Sequence, residues 1–236
     1  MLPTGEIKRR ARERLSGNWK DVALLSIIPV VIGMLFAGGI TETLEIFGMG
    51  APTDAELSEF SLSFFIDIKE ILVNIATILF TTSIAYTLLD LVRYNDYTIE
   101  PLSDAFRVIR KGYTIQVLAI AIITWVFTIL WSFLFIIPGI IANFAYSQAY
   151  YIYKDAIENG ENLSPIDYIT ESKELMRGNK GRLFILELSF VGWHILALFT
   201  FGLGYLFLSP YIQTSKAVFY EDLVESYDAS GYEDAF

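Results

Sequence analysis

The stretch ESKELMRGNKGRLFILELSFVGWHILALFTFGLGYLFLSPY, residues Glu171–Tyr211, decides the fold that the sequence predicts. It begins as a charged helix, breaks at Gly178-Asn179, and continues as an apolar run that turns back around Gly202 and Gly204. An apolar run of this length with few charges is typical of a helix that crosses a membrane. The stretch therefore predicts a surface helix, an elbow and a transmembrane hairpin.

The composition places the whole chain in the same class. Of 236 residues, 54% are hydrophobic and only 19% are charged, and the mean hydropathy is +0.47. A soluble domain carries about 25% charged residues. The charges also cluster, which leaves several windows of about 20 residues nearly free of them. We predict an all-α integral membrane protein with one polytopic domain over residues 1–222 and an acidic cytoplasmic tail over 223–236.

Rare residue types and net charge narrow the possible functions. The chain has no cysteine, which rules out disulfides, thiolate metal sites and a cysteine nucleophile. It has one histidine and no carboxylate cluster suited to a metal, and its net charge of −10 does not favour nucleic acid as a partner. The sequence contains neither a phosphate-binding loop nor a nucleophile elbow. We therefore expect a protein that is not an enzyme and uses no cofactor.

The pattern of a break followed by a span occurs three times. Each time a basic amphipathic helix is closed by a glycine, at Gly17, Gly112 and Gly178, and an apolar segment follows. Asparagine comes directly after the glycine in the first and third copies, as Asn18 and Asn179. A surface helix must turn sharply to enter the bilayer, and glycine supplies the left-handed residue for that turn. We predict six transmembrane helices arranged as three amphipathic-helix-plus-hairpin repeats; chance similarity among amphipathic helices is the alternative. The repeats cover residues about 4–92, 99–153 and 164–222.

The positions of lysine and arginine set the predicted orientation. With the N-terminus inside and six spans, Lys69 is the only one of the 17 basic residues on the outer side. Cytoplasmic segments of membrane proteins carry an excess of basic residues. Both termini are therefore predicted to be cytoplasmic. The outer segments are an acidic loop over residues 48–60 and two tight turns, at Pro138-Gly139 and at Phe201–Gly204.

Basic residues of the three amphipathic helices are candidates for contact with anionic lipid. On the first helix, Ile7, Ala11 and Leu15 form a narrow apolar stripe that basic side chains surround. Such a helix lies on an anionic leaflet, or it stays solvated and only enforces the topology. The candidate basic residues are Lys8, Arg9, Arg10, Arg12, Arg14, Arg107, Arg110, Lys111, Arg177, Lys180 and Arg182.

Polar residues inside the predicted spans are candidates for function because they are costly in a bilayer. Glu187 and Lys216 lie at similar distances from the turn between spans five and six, so we predict that they can pair. The pair is either a structural ion pair or part of an ion or proton relay. His194 is either a neutral, hydrogen-bonded packing residue or a titrating group. The candidates for hydrogen bonds between helices are Asn74, Asn143 and Gln148.

Several segments resemble the signature of one bacterial family. They are Ala11–Trp19, Ile136–Ile141, Glu171–Lys180, Leu188–Trp193, Gly202–Gly204, Pro210-Tyr211 and Phe219–Leu223. Together they resemble the domain-of-unknown-function 975 family, multi-pass membrane proteins common in Gram-positive bacteria, over nearly the whole chain. The layout is more distantly similar to the membrane domain that accompanies some glycerophosphodiester phosphodiesterases. The resemblance implies the fold and a bacterial cytoplasmic membrane location, because the family has no established activity.

Three functions are compatible with these observations. The first is a non-enzymatic membrane protein that binds a ligand in the membrane. That ligand is an anionic lipid, a membrane-protein partner or a second copy of the chain. Such a protein would serve envelope homeostasis or defence against membrane-active peptides. The second is a small transporter or channel. The third is an accessory membrane domain for a partner enzyme. A polar cavity would favour transport, whereas a groove for lipid or an exposed apolar patch would favour binding.

Overall fold

A computed structural model describes residues 1–37, 59–134, 136–200 and 203–228. These residues form twelve helices and, within these ranges, no strand. The helices are α1 (Thr4–Leu15), α2 (Trp19–Ala37), α3 (Glu59–Arg93), α4 (Pro101–Ala105), α5 (Arg107–Arg110), α6 (Thr114–Leu134), α7 (Ile136–Tyr146), α8 (Ala149–Glu158), α9 (Pro165–Leu175), α10 (Lys180–Leu188), α11 (Val191–Phe199) and α12 (Tyr205–Asp228). The prediction of an all-helical protein is confirmed for this part of the chain. The acidic loop predicted over 48–60 lies outside it, apart from its last two residues, which begin α3.

Three helical segments among the described residues are long and apolar enough to cross a membrane. They are Glu70–Arg93 in α3, Thr114–Phe133 in α6, and Lys180–Phe199 across α10 and α11. The segment in α6 buries only 11% of its apolar window inside the protein. A water-soluble protein rarely exposes so much contiguous apolar surface, whereas a bilayer covers it. The length and composition of these three segments therefore agree with the predicted membrane protein.

The three glycines at the predicted elbows adopt the left-handed conformation. The φ angles of Gly17, Gly112 and Gly178 are 92°, 77° and 79°. Side chains other than glycine rarely adopt such angles. In each copy the residue after the glycine then caps the next helix, and its carbonyl accepts an early backbone hydrogen bond of that helix. The backbone bonds that show this are Val22 N–H to Asn18 O at 3.0 Å, Val117 N–H to Tyr113 O at 3.0 Å, and Leu183 N–H to Asn179 O at 3.2 Å.

The asparagines of the first and third elbows make the same contact. Asn18 Nδ2 donates to Arg14 O at 3.4 Å, and Asn179 Nδ2 donates to Leu175 O at 3.4 Å. Each amide reaches back four residues to a carbonyl at the end of the preceding helix, where carbonyls lack intrahelical partners. The positions five and eight residues after each glycine are also at most 1% exposed. These buried positions are Val22 and Leu25, Val117 and Ile120, and Leu183 and Leu186.

The prediction of a tight turn at Pro138-Gly139 is wrong. Both residues lie in the first turn of α7, where a proline is tolerated because its missing N–H would have no intrahelical partner. The glycine serves helix packing instead, because a Cβ at Gly139 would lie 2.1 Å from Ser132 Oγ of α6. Gly204 plays the same part between α11 and α12, where a Cβ would lie 2.9 Å from Ala197 Cα.

Two predicted spans are interrupted helices rather than continuous ones. The break between α7 and α8 falls at Ser147-Gln148, and the break between α10 and α11 falls at Ser189-Phe190. At the first break Ser172 Oγ of α9 donates to Ala145 O at 2.8 Å and accepts from Gln148 N–H at 3.1 Å. A side chain from another helix thus forms hydrogen bonds with backbone groups at the interruption. The apolar periodicity along the span does not reveal such an interruption.

Candidate functional site

The first amphipathic helix, α1, lies on the protein rather than with its apolar stripe in lipid. Ile7, Ala11 and Leu15 are at most 1% exposed and belong to the same hydrophobic core as Phe219 and Leu223 of α12. The apolar stripe therefore faces protein rather than an anionic leaflet, and the alternative of a solvated basic helix that only enforces the topology stays open. The stripe is only one residue wide, so packing on α12 leaves no apolar surface of α1 for acyl chains.

One edge of α1 carries two basic residues that reach toward α11 and α12. Lys8 Nζ donates to Ser189 O and to Ser189 Oγ, both at 3.2 Å, and lies 4.3 Å from the Phe190 ring centroid. Arg12 Nη2 lies 3.5 Å from Tyr211 Oη, and the Arg12 guanidinium lies 5.9 Å from the centroid of the Tyr211 ring. Burial lowers the pKa of Lys8, and the nearby charge of Arg12 lowers it further. This edge therefore concentrates positive charge beside the apolar hairpin.

The opposite edge of α1 is neutralised by its own carboxylates. Arg9 lies 2.6 Å from Glu6 and 2.5 Å from Glu13, and Arg10 lies 3.2 Å from Glu6. Arg14 bonds to Asn95. Four side chains of α1 border a charged cavity of about 550 Å³ between α1 and the ends of α3 and α12, namely Arg9, Arg10, Glu13 and Arg14. Arg12 differs from Arg9 and Arg10, because it has no carboxylate partner in the part of the chain that the structure describes.

An apolar groove of about 510 Å³ begins beside Arg12 and follows α11 and α12. Arg12 is its one charged residue among those described. Trp193, Leu196 and Phe207 in its wall are 46%, 57% and 54% exposed, so the groove opens sideways on the surface of a candidate span. Its lining residues are Arg12, Trp19, Trp193, Leu196, Ala197, Thr200, Gly204, Phe207, Leu208 and Tyr211. An elongated hydrocarbon chain with an anionic end would match this arrangement chemically.

The second amphipathic helix presents its apolar face outward. It consists of α4 and α5, and Leu102, Phe106 and Ile109 are 74%, 42% and 46% exposed. Arg110 and Lys111 beside them are also exposed. This combination of apolar and basic surface suits a helix that lies on a membrane interface.

A smaller, more polar cleft lies between α3, the α7–α8 break and α12. Its volume is about 280 Å³. At its edge Lys216 Nζ lies 2.7 Å from Glu187 Oε1, so the pair that the sequence predicts is present. The two side chains are 35% and 38% exposed, so the pair is not sealed inside the protein. The lining residues are Thr77, Ile78, Thr81, Thr82, Ala85, Ser147, Tyr150, Tyr151, Gln213 and Lys216.

The other candidate intramembrane residues are not gathered at this cleft. His194 Nδ1 lies 3.3 Å from Tyr205 Oη, which fits a hydrogen-bonded packing residue. Asn74 and Asn143 are exposed and make no side-chain hydrogen bond to another described residue, so their predicted bonds between helices are not found there. Gln148 is buried, and it is its backbone N–H, not its side chain, that bonds to another helix.

A buried charge cluster escaped the sequence analysis. Asp90 of α3 lies 2.6 Å from Lys154 of α8 and 2.5 Å from Arg107 of α5, and the Asp90 and Lys154 side chains are 5% and 3% exposed. Arg107 is thereby held in an ion pair inside the protein, although it was a candidate for lipid contact. The available signal was a pair of ionisable residues within apolar helical segments, which rarely occur there without partners.

Two further arginines tie helix ends together. Arg93 at the end of α3 pairs with Asp155 at 2.5 Å and with Glu221 at 2.7 Å. Arg182 at the start of α10 pairs with Asp222 at 2.6 Å and donates to Leu2 O at 2.8 Å. Of the remaining candidate basic residues, Arg177 is exposed and Lys180 is partly exposed.

The described residues contain no cluster of side chains suited to a metal ion, that is, no group of three or more histidine, aspartate or glutamate side chains placed to hold one. The buried carboxylates Asp90 and Asp222 are each paired with a cation. What this part of the structure can do is hold an amphiphile in the groove or a polar group in the cleft.

Comparison with known proteins gives a family and no function. No curated protein and no solved structure matches the chain. The distant similarity to the membrane domain of glycerophosphodiester phosphodiesterases gains no support and stays a prediction. Residues 133–226 match the model of a family described as "Protein of unknown function (DUF975)". The family that the sequence motifs predict is therefore supported over residues 133–226, where the chain is similar to the DUF975 family.

Proposed function

We propose that this protein is a non-enzymatic component of the bacterial cytoplasmic membrane that binds membrane lipid. The observation that carries the proposal is the apolar groove beside Arg12, on the surface of the candidate span Lys180–Phe199. A groove on that surface would be filled by hydrocarbon in a bilayer. The exposed apolar face of α4 and α5, with Arg110 and Lys111, supports the same function by offering a second membrane contact. Envelope homeostasis or defence against membrane-active peptides would suit such a protein.

Six spans in three repeats, with both termini in the cytoplasm, complete the proposal. The matched conformations at Gly17, Gly112 and Gly178 support three equivalent entries into the bilayer. Because the chain lacks cysteine, single cysteines can report the topology directly. Lys20→Cys and Glu161→Cys should react with an impermeant thiol reagent only after the cells are opened, whereas Pro52→Cys should react in intact cells. Labelling of Glu161→Cys in intact cells would contradict the orientation.

Lipid binding can be tested through the groove itself. The protein is purified in a mild detergent, washed extensively, and its bound phospholipid is extracted and counted by mass spectrometry. Leu196→Trp should reduce the bound lipid because the larger ring fills the groove. Leu198→Trp is the matched control, since Leu198 lies on the same helix, is 66% exposed and does not line the groove. Absence of bound lipid in the wild type, or equal amounts in both variants, would contradict the proposal.

A small transporter is a second candidate because of the polar cleft. Lys216 lines this cleft, and its partner Glu187 lies in the candidate span Lys180–Phe199. Such groups could bind a small polar solute between helices α3, α8 and α12. Reconstituted vesicles should then accumulate a labelled solute, and Glu187→Gln should abolish the uptake. Unchanged lipid binding with no uptake of any small polar solute would leave lipid binding as the function.

A further inference from the structure

We infer that the groove beside Arg12 binds a phospholipid whose headgroup carries a net negative charge. This inference rests on the proposed function and names its ligand. The lipid phosphate would lie at Arg12, and one acyl chain would lie between α11 and α12. The matched family is described as one of unknown function, so the match assigns no ligand to this groove.

One end of the groove carries positive charge. Arg12 is exposed and has no carboxylate partner among the described residues, whereas Arg9 and Arg10 on the same helix are paired with Glu6. A guanidinium matches the geometry of a phosphate and binds it through two parallel hydrogen bonds. Lys8, one helical turn away, adds positive charge to the same edge. This end of the groove is therefore complementary to a phosphate.

The rest of the groove matches hydrocarbon. Beyond Arg12 its walls are Trp193, Leu196, Phe207 and Leu208, and only neutral residues line it as far as Thr200 and Gly204. Gly204 keeps α11 and α12 in close contact at that end, because its missing side chain would otherwise meet Ala197. The groove therefore offers a cation at one end and a continuous apolar surface from there on.

Two tryptophans lie in the groove near its charged end. Trp19 and Trp193 both line the groove, and Trp19 contacts Phe207 with ring centroids 6.3 Å apart. Tryptophan concentrates at the level of lipid headgroups. Arg12 lies on a helix outside the candidate spans and lines the groove together with both tryptophans. A soluble anion would lack the chain that the groove accommodates, so the geometry favours a lipid.

The inference can be tested with lipids that quench tryptophan fluorescence. A variant with Trp125→Phe and Trp131→Phe retains Trp19 and Trp193 as reporters in the groove. It is reconstituted into vesicles that contain phosphatidylglycerol or phosphatidylcholine, each with the same brominated acyl chains. We expect phosphatidylglycerol to quench at about fivefold lower mole fraction, since one basic residue near the surface contributes about that factor. Arg12→Gln should remove the preference, and Arg10→Gln, with the same charge change on the same helix, should retain it.

The outcomes separate this inference from the proposed function. Equal quenching by the two lipids, or a preference that survives Arg12→Gln, would overturn the headgroup assignment and leave lipid binding intact. Absence of quenching by either lipid would overturn both. If Arg12→Gln does not fold, the wild-type preference is compared at roughly 0.05 M and 0.5 M salt, where screening should weaken it. A preference that does not change with salt would then overturn the assignment.

Discussion

Lys216 Nζ of α12 lies 2.7 Å from Glu187 Oε1 of α10, which joins the two arms of the last hairpin. Nearer the turn of the same hairpin, α11 and α12 approach closely at Gly204. A lone charge at this depth in a bilayer would be costly, and the partner offsets that penalty. Both side chains are more than a third exposed, so the pair stabilises the fold modestly.

Removing one partner should therefore have a measurable but small effect on stability. We expect Glu187→Gln to lower the free energy of unfolding in detergent by about 1 kcal/mol, because Lys216 loses its counter-charge. Combining it with Lys216→Met should restore most of the loss in a double-mutant cycle. Additive losses in the two single variants and the double variant would show that the contact contributes nothing.

The buried cluster around Asp90 should contribute more to stability than the pair of Glu187 and Lys216. Asp90→Asn leaves Lys154 buried with only Glu158 as a counter-charge, so we expect a loss of about 3 kcal/mol or more in thermal unfolding. Glu158→Gln is the matched control, because its side chain is 39% exposed and its removal should change stability by less than about 1 kcal/mol. Similar losses in the two variants would contradict the central role of Asp90.

The elbow at Gly178 should tolerate no side chain. Its φ of 79° is unfavourable for an L-residue, and Gly178→Ala should destabilise the protein by about 1–2 kcal/mol. Gly181→Ala, three residues later in α10, has open space around the new Cβ and should be neutral or stabilising by up to about 1 kcal/mol. Chemical denaturation of both variants measures the difference. Equal stability would argue against the left-handed elbow.

Gly139 should also be intolerant of a larger side chain, because α6 packs closely on α7 at this position. Gly139→Ala would place a Cβ 3.0 Å from Ser132 Cα as well as close to its hydroxyl, so the helices must move apart. We expect a loss of about 1–3 kcal/mol. Gly192→Ala in α11 meets no atom within 4 Å and should not destabilise. Thermal unfolding of the two variants measures the difference in stability. Equal stability of the two would contradict the close packing at Gly139.

The ion pairs of α1 should respond to acid in a defined window. Hydrogen bonds from Arg9 hold the pKa of Glu6 at about 2, below its ordinary value of 4.5. Because the folded pKa is the lower one, the stabilisation is complete above pH 4.5 and is lost as the pH falls toward 2. Hydrogen exchange of α1 amides, corrected for intrinsic rates, should show constant protection from about pH 7 to 5 and a decline below that range. Glu6→Gln should remove this dependence, and an unchanged decline in that variant would assign it to another group.

The features that the sequence predicts correctly are local. Gly17, Gly112 and Gly178 end their helices because no other residue accepts positive φ so readily, and this preference needs no distant partner. The pairing of Glu187 with Lys216 follows from register within one hairpin. The all-helical class, the candidate spans and the family also follow from the order of residues, since length and hydrophobicity decide them.

Tertiary structure alone decided which surfaces meet. Lys8 contacts Ser189, 181 residues away, and this docking turns the apolar stripe of α1 inward and leaves Arg12 beside the groove. The Asp90 cluster joins three helices from separate parts of the chain. A periodic pattern shows that a helix has an apolar face, but either protein or lipid can cover that face. Only the packing of distant segments determines which of the two does, and with it where a lipid can bind.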